Sequence, residues 1–208
     1  MGAHFDSFRY FMNKETLLKK LEEEMNKDKS LPLQESNLVF GEGNPDSPVL
    51  FIGEAPGLTE NIQKRPFVGR GGQLLNEMIK SIGWKREDVY ITNIVKRRPP
   101  DNRDPLPEEI AAYQPYLKKQ IEIINPKIFI TLGRFSMNYF LPTAKISKDQ
   151  SKVFRVGNRL LVPIYHPAAA LRSTQVMNEF KASFKKLPKI VEKADEILAK
   201  NKLGLKTN

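Results

Sequence analysis

The chain contains no cysteine and only two histidines among its 208 residues. Without thiols it cannot form a disulfide, use a thiolate nucleophile, or hold zinc or an iron–sulfur cluster through cysteine. Two histidines are also too few for a His-rich metal site. The sequence therefore predicts a protein without a resident metal ion.

Long hydrophobic stretches are also missing. No segment approaches the roughly 18–20 apolar residues that span a bilayer, and the first residues carry none of the basic and apolar regions of a signal peptide. We therefore expect an intracellular, cytoplasmic protein without a membrane partner. His4 lies in this start and is treated as bystander sequence, which leaves His166 as the histidine of interest.

Charge of one sign is in excess. The chain has 34 Lys and Arg against 24 Asp and Glu, a formal net charge of +10. This excess favours a polyanionic partner, with nucleic acid the first candidate. From charge alone, a generally basic protein without such a partner remains the alternative.

Short apolar runs alternate with amphipathic segments along the chain, and this alternation predicts the fold. Strands are predicted at 49–52, 89–95, 127–132 and 160–165. Helices are predicted at 15–27, 73–82, 108–124, 134–141 and 175–198, with a kink or break at Pro115 and at Pro188. The pattern indicates an α/β fold, a three-layer α/β/α sandwich around a mainly parallel four-stranded sheet.

One main domain is predicted over residues 37–198. A helical segment at 1–36 precedes it and is expected to pack on its core, and a basic tail follows at 199–208. Residues 142–158 show no clear pattern and are expected to form a surface excursion.

Chemically capable residues follow three of the predicted strands. Gly53 and Glu54 follow the first strand, Asn93 lies near the end of the second, and His166 follows the fourth. In parallel sheets, ligands bind outside the carboxyl ends of the strands. We therefore expect these residues to share one crevice.

Each of these candidates has a structural alternative. The small-residue turn at 53–57 lets backbone N–H groups approach an anion, or it is an ordinary Gly-Pro turn. Glu54 holds a carboxylate near a reacting centre, or it charges a helix N-terminus. A buried Asn93 amide needs a partner, either a pyrimidine edge or a neighbouring loop.

Two rings have similar alternatives. Phe67 is a lone aromatic residue among loop residues, where it stacks on a base or plugs the core. His166 donates to a developing oxyanion or is a satisfied structural histidine.

A set of segments shares its order and motifs with a known family over about residues 37–190. They are Val39–Asp46, Gly53–Gly57, Glu60–Asn61, Arg65–Arg70, Ile91–Lys96, Arg98–Pro100, Asn102–Arg103, Pro126–Gly133 and Tyr165–Arg172. Together they resemble the uracil-DNA glycosylase superfamily, and most of all its family 4.

The resemblance implies hydrolysis of the N-glycosidic bond of a uracil flipped out of DNA. It implies Glu54, His166 and Asn93 as the catalytic residues, with Glu54 orienting or deprotonating the attacking water. It implies a uracil-binding set made of Gly53, Ala55, Glu60, Phe67 and Asn93. In that set Glu60 would stand where the methyl group of thymine must go.

The resemblance also implies a DNA surface made of two loops. The loop after His166 would press on the duplex through Ala169, Leu171 and Arg172, with Leu171 as an apolar wedge. A basic loop would contact phosphates through Lys96, Arg98 and Arg103. A merely solvated basic loop is the alternative. The expected partner is uracil-containing DNA, double- or single-stranded, bound by a monomer without a cofactor.

The departures from the family concern its four-iron four-sulfur cluster, which four cysteines hold. Arg97 and Tyr113 stand at two of those positions, and the first pair is missing near 26–33. We expect Tyr113 to be buried against the N-terminal segment and Arg97 to be at least partly exposed. A non-catalytic or substrate-shifted member that binds damaged or single-stranded DNA is the alternative function.

Overall fold

The computed structural model describes residues 13–203, and the side chains of 13–200. His4 therefore lies outside the described residues. The strands are β1 (Glu42–Gly43), β2 (Val49–Gly53), β3 (Tyr90–Asn93), β4 (Ile128–Leu132), β5 (Phe154–Val156) and β6 (Arg159–Ile164). The helices are α1 (Lys14–Lys27), α2 (Leu58–Gln63), α3 (Arg70–Ser81), α4 (Pro107–Ile124), α5 (Arg134–Phe140), α6 (Ile146–Asp149), α7 (Pro167–Ala170), α8 (Thr174–Glu192) and α9 (Ala194–Leu203).

These strands form one sheet in the order β1-β3-β2-β4-β6-β5. The four predicted strands are confirmed as its parallel centre, β3-β2-β4-β6. The short strands β1 and β5 extend it on both sides as antiparallel edges, so the sheet is wider than the four strands expected from the sequence. Two or three residues are too few to show a strand period, and β5 lies in the stretch that carried no pattern.

Both faces of the sheet are covered, which confirms the three-layer sandwich. Side chains alternate between the faces along each strand, as in β2, where Phe51 faces one core and Leu50 the other. One face packs against α3 and α8 through Leu75 and Phe184. The other packs against α1 and α4, where Tyr113 is among the buried residues.

Neither internal proline breaks its helix. Helix α4 runs without interruption through Pro115, whose ring lies on the exposed side. Helix α8 runs through Pro188 and ends only at Glu192. The breaks considered at Pro115 and Pro188 do not occur, because a buried stripe on each helix continues across the proline and keeps both turns on the core. In α8 that stripe includes Phe184 and Leu187 before the proline and the partly buried Val191 after it.

The two ends of the described chain are helical. Helix α1 begins at an Asn13 cap, whose side chain accepts a hydrogen bond from the Thr16 N–H at 2.8 Å, and it buries three apolar residues against the core beside α4. At the other end, α9 includes residues 199–203, so the predicted basic tail begins inside a helix. No helix in residues 13–203 is both long and apolar enough to cross a membrane.

Candidate active site

The register of the sheet brings the candidate residues to one edge. Gly53 is paired with Asn93 across neighbouring parallel strands, and His166 follows the end of β6 by two residues. Asn93 and His166 line a cavity of about 750 Å³ together with Glu54 and Phe67, while Gly53 lies just beneath it and is not part of the lining. The cavity lies at the carboxyl ends of the strands, where α/β sheets bind ligands.

Asn93 lines the cavity and has an unpaired hydrogen-bond acceptor. The residue is 1% exposed, and its amide Oδ1 has no hydrogen-bond partner within the described part of the chain. A Cβ on Gly53 would lie 2.4 Å from this oxygen and 2.4 Å from the Phe67 ring, so only glycine leaves them room. A buried unpaired acceptor costs about 1–3 kcal/mol, which a ligand donor would recover.

Phe67 presents its ring to the same space from an unusual backbone. Its φ is 50°, in the left-handed region that costs a bulky residue roughly 1–2 kcal/mol. Its ring centroid lies 5.9 Å from that of His166, with 37° between the planes. The first turn of α3 approaches so closely that a Cβ on Gly72 would lie 2.0 Å from the Phe67 carbonyl oxygen. The ring is therefore held beside both Asn93 and His166.

His166 is neutral and presents a ring donor. Desolvation lowers its pKa to about 4, Glu60 opposes this shift, and Arg172 adds to it. The Nδ1 atom accepts a hydrogen bond from the Ala168 N–H at 3.2 Å. Because Nδ1 is an acceptor, the single proton of the neutral ring lies on Nε2, which is left to donate.

Glu54 is a carboxyl with a raised pKa. Desolvation and, less strongly, the nearby charge of Asp104 raise that pKa to about 7, although the charge of Arg134 opposes both. Asp104 and Arg134 form an ion pair at 2.5 Å on the rim of the cavity. A carboxyl that titrates near neutrality is suited to accept a proton from water.

Glu60 lines the cavity and also holds the loop of residues 66–69, called the Phe67 loop below. Its Oε1 accepts hydrogen bonds from the backbone N–H groups of Val68 at 3.0 Å and Gly69 at 2.7 Å. One carboxylate oxygen is therefore committed to the loop that carries the ring. Ala55 also lines the cavity, in the turn that follows β2.

Lys96 is not on the DNA surface, which corrects the sequence-based assignment. Its side chain is fully buried, and its Nζ donates to Gln120 Oε1 at 2.6 Å, to Thr92 Oγ1 and to the Phe40 carbonyl. Burial lowers the pKa of this amine well below its usual range. An amine enclosed by three neutral oxygens does not reach a phosphate, so the basic loop begins at Arg98.

The other predicted DNA residues lie on the surface around the cavity. Arg98 donates through Nε to Asn102 Oδ1 at 2.7 Å, and Arg103 pairs with Glu109 through two contacts of 2.9 and 2.6 Å. Ala169 lines the cavity on α7. Leu171 follows that helix with 40% of its surface exposed, and Arg172 beside it is exposed.

The residues at the two cluster positions do not fit an iron–sulfur cluster. Tyr113 is fully buried, as predicted, and its hydroxyl donates to the Pro32 carbonyl at 2.7 Å. Arg97 is only 5% exposed and donates to the Ser36 carbonyl, so its predicted exposure was wrong. Both side chains turn inward onto the segment that follows α1. Neither tyrosine nor arginine ligates iron in such clusters.

The sequence analysis missed two charged residues on the rim of the cavity and one that holds the loop carrying Phe67. Asp104 and Arg134 form the rim pair beside Glu54, and Arg86 donates to the Phe67 carbonyl. Only the position of Arg134, two residues after the end of β4, gave a signal that could have found it. In residues 13–203, no group of three or more His, Asp or Glu side chains is placed to hold a metal ion.

Comparisons with known proteins agree with this site. The family model of the uracil DNA glycosylase superfamily matches residues 40–188. The Type-4 uracil-DNA glycosylase of Archaeoglobus fulgidus is 43% identical over 172 residues, which cover 78% of this chain and 86% of that protein. The Type-4 enzyme of Saccharolobus solfataricus is 47% identical over 161 residues, covering 73% of this chain and 74% of that protein. That of Thermotoga maritima is 42% identical over 165 residues, covering 77% and 86%.

The matched region contains the β2 turn, the Phe67 loop, Asn93 and His166, and thus all four sides of the cavity described above. The chain therefore belongs to the uracil DNA glycosylase superfamily, and within it resembles the type-4 enzymes.

Proposed function

We propose that this protein is a monofunctional uracil-DNA glycosylase, which hydrolyses the N-glycosidic bond of uracil in DNA and leaves an abasic site for base excision repair. The observation that carries this proposal is the buried Asn93 amide, whose unpaired Oδ1 and the Phe67 ring both lie against Gly53 at the end of β2. Uracil offers an N3–H donor beside its O4 acceptor, and an asparagine amide offers the matching acceptor and donor. Cytosine presents the reverse pattern and would leave the amide unpaired.

Recognition begins with the base outside the duplex, because its glycosidic bond is not accessible in the stack. The flipped uracil stacks on Phe67, and the Asn93 amide hydrogen-bonds to its N3–H and O4 edge. Leu171, which is exposed next to the cavity-lining Arg172, fills the space that the base leaves, while Arg172 contacts phosphate. Glu60 stands beside the base where the thymine methyl would lie.

Bond cleavage moves charge onto the base. When the bond between C1′ and N1 breaks, its electron pair goes to the uracil ring and its O2 becomes negative. His166 donates a hydrogen bond from Nε2–H to that oxygen and stays neutral, since its pKa of about 4 shows how strongly the site disfavours the cation. Backbone N–H groups of the turn at 53–57 add to this stabilisation.

Water completes the reaction at the sugar. The hydroxide part of a water molecule bonds to C1′, and its proton passes to the Glu54 carboxylate. From there the proton is available to the departing uracil anion. Glu54 is suited to this task because its pKa of about 7 lets it accept and release a proton near neutral pH.

We propose that the substrate is uracil in either double- or single-stranded DNA, that the enzyme acts as a monomer, and that it works in the cytoplasm or on the nucleoid. The direct test is incubation with uracil-containing oligonucleotides, followed by alkaline cleavage at abasic sites. Cleavage at the uracil position, absent from a thymine-containing control, is the expected result. Binding without cleavage would support a non-catalytic member instead.

The rate of excision is expected to rise with pH through about 7, the pKa of Glu54, and then level off. The carboxylate is the active form, so activity is lost as pH falls and the carboxyl is protonated. Removing the neighbouring negative charge with Asp104→Asn should move this rise to lower pH. Single-turnover rates between pH 5 and 9 measure it, and Glu54→Gln should show no such rise. An unchanged profile in Glu54→Gln would exclude Glu54 as the base.

DNA binding is expected to weaken with salt, through Arg172 and Arg98. Each phosphate contact contributes about 0.9 to the slope of log K against log salt, so Arg172→Gln or Arg98→Gln should each lower that slope by roughly one unit. Fluorescence anisotropy on a labelled duplex at several salt concentrations measures the slopes. Lys127→Gln is the matched control. Lys127 directly precedes β4, at the end of the strands opposite the cavity, and it pairs with Asp195. Equal slopes in all variants would place the DNA elsewhere.

A further inference from the structure

The guanidinium of Arg86 contacts the backbone of the Phe67 loop and is not part of the cavity lining. Its NH2 group donates to the Pro66 carbonyl at 2.5 Å, and its NH1 group donates to the Phe67 carbonyl at 3.2 Å. NH1 also donates to Asn76 Oδ1 on α3 at 2.6 Å. Nε donates to Glu42 Oε1 at 2.8 Å, and the Arg86 side chain is only 17% exposed.

Glu42 keeps this guanidinium in place. Desolvation raises the Glu42 pKa, but hydrogen bonds from Arg65 and Arg86 leave that pKa below its ordinary value, so the group is ionised at neutral pH. Glu42 belongs to the edge strand β1, whose partner β3 ends at Asn93. The Arg86 side chain is therefore anchored to the sheet through Glu42, in addition to its contacts with the loop.

Together with Glu60, Arg86 ties every residue of the loop from 66 to 69. Arg86 donates hydrogen bonds to the carbonyls of Pro66 and Phe67. Glu60 accepts hydrogen bonds from the N–H groups of Val68 and Gly69. These four hydrogen bonds surround Phe67, the residue with a φ of 50°. A left-handed backbone at a bulky residue persists only where its surroundings hold it. The direction of the Phe67 ring depends on that backbone.

We propose that Arg86, held by Glu42, is a positioning residue that sets the Phe67 ring for stacking on the flipped base. The proposal rests on the stacking role given to Phe67 above. An arginine suits this position, because its planar guanidinium with five donors can bond to two carbonyls, an amide oxygen and a carboxylate at once. Lysine carries the same charge on a single ammonium group and cannot reach all four.

The test is a double-mutant cycle between Arg86→Lys and Phe67→Ala. Base stacking on an aromatic side chain is worth about 5- to 150-fold in binding, so Arg86→Lys should lower kcat/KM for a uracil oligonucleotide within that range. In the Phe67→Ala background the same change should have less than about a twofold effect, because the ring through which it acts is gone.

Arg159→Lys is the matched control. Arg159 also donates to a proline carbonyl, that of Pro126 at 3.1 Å, and to an asparagine Oδ1, that of Asn125 at 2.8 Å. It lies at the start of β6, at the edge of the sheet opposite the cavity. The chemical change is the same, so loss of activity in Arg86→Lys but not in Arg159→Lys separates positioning from general destabilisation.

The outcomes separate the two ideas. An unchanged kcat/KM in Arg86→Lys, or an equal loss in both Phe67 backgrounds, overturns the positioning role alone. Full activity in Phe67→Ala overturns the stacking role and the positioning role with it. If Arg86→Lys does not fold, Glu42→Gln takes its place in the cycle. It leaves the loop contacts of Arg86 but removes the charge that holds it, and should cause a smaller loss that also disappears with Phe67→Ala.

Discussion

Replacing His166 by alanine is expected to slow uracil excision by about 100- to 1000-fold, the usual cost of losing one oxyanion donor. The neutral ring, with its proton on Nε2, is placed to stabilise the charge that leaves with the base. Single-turnover excision measures the loss without interference from product release. The fold should survive, because His166 lies in the connection between β6 and α7 and not in either core cluster.

Asn93→Ala should cause a loss of similar size through recognition of the base edge. Asn158→Ala serves as its control, since Asn158 is an exposed asparagine in the turn between β5 and β6. Circular dichroism and thermal unfolding establish that each variant is folded. A near-wild-type single-turnover rate in either His166→Ala or Asn93→Ala would remove that residue from the mechanism.

Replacing Tyr113 by alanine is expected to lower the free energy of unfolding by about 3–5 kcal/mol, the range for deleting a large buried aromatic side chain. The ring is fully buried in the core between α1 and α4, and its hydroxyl donates to the Pro32 carbonyl. It thereby connects α4 to the segment after α1, a connection that the family makes with its cluster. Urea unfolding at several protein concentrations measures the change.

The matched variant Tyr113→Phe separates packing from hydrogen bonding. It keeps the ring and leaves the Pro32 carbonyl unpaired, so a smaller loss of about 1–3 kcal/mol is expected. A loss well under 1 kcal/mol in Tyr113→Ala would show that other residues close the space between these segments.

The wild-type protein should contain no stoichiometric iron by elemental analysis and keep its excision activity in a chelator.

The sequence alone determined the centre of the sheet and the edge of the sheet at which the candidate site lies. Apolar runs of four to seven residues mark buried parallel strands, because such strands are covered on both faces. Residues placed directly after them, such as Glu54 and His166, must then meet at one edge, whatever the helices do. The burial of Tyr113 could be predicted as well, since it shares a helical stripe with Leu117 and Ile121.

The tertiary structure decided the environment of the cationic side chains. Lys96 and Arg97 stand in a basic run that reads as a surface loop, yet Phe40 and Gln120 enclose the first and Ser36 accepts from the second. Arg86 is placed by Glu42 and by a loop 20 residues before it in the chain. A long cationic side chain is buried only where oxygens from distant segments converge on it, and no local pattern records that convergence.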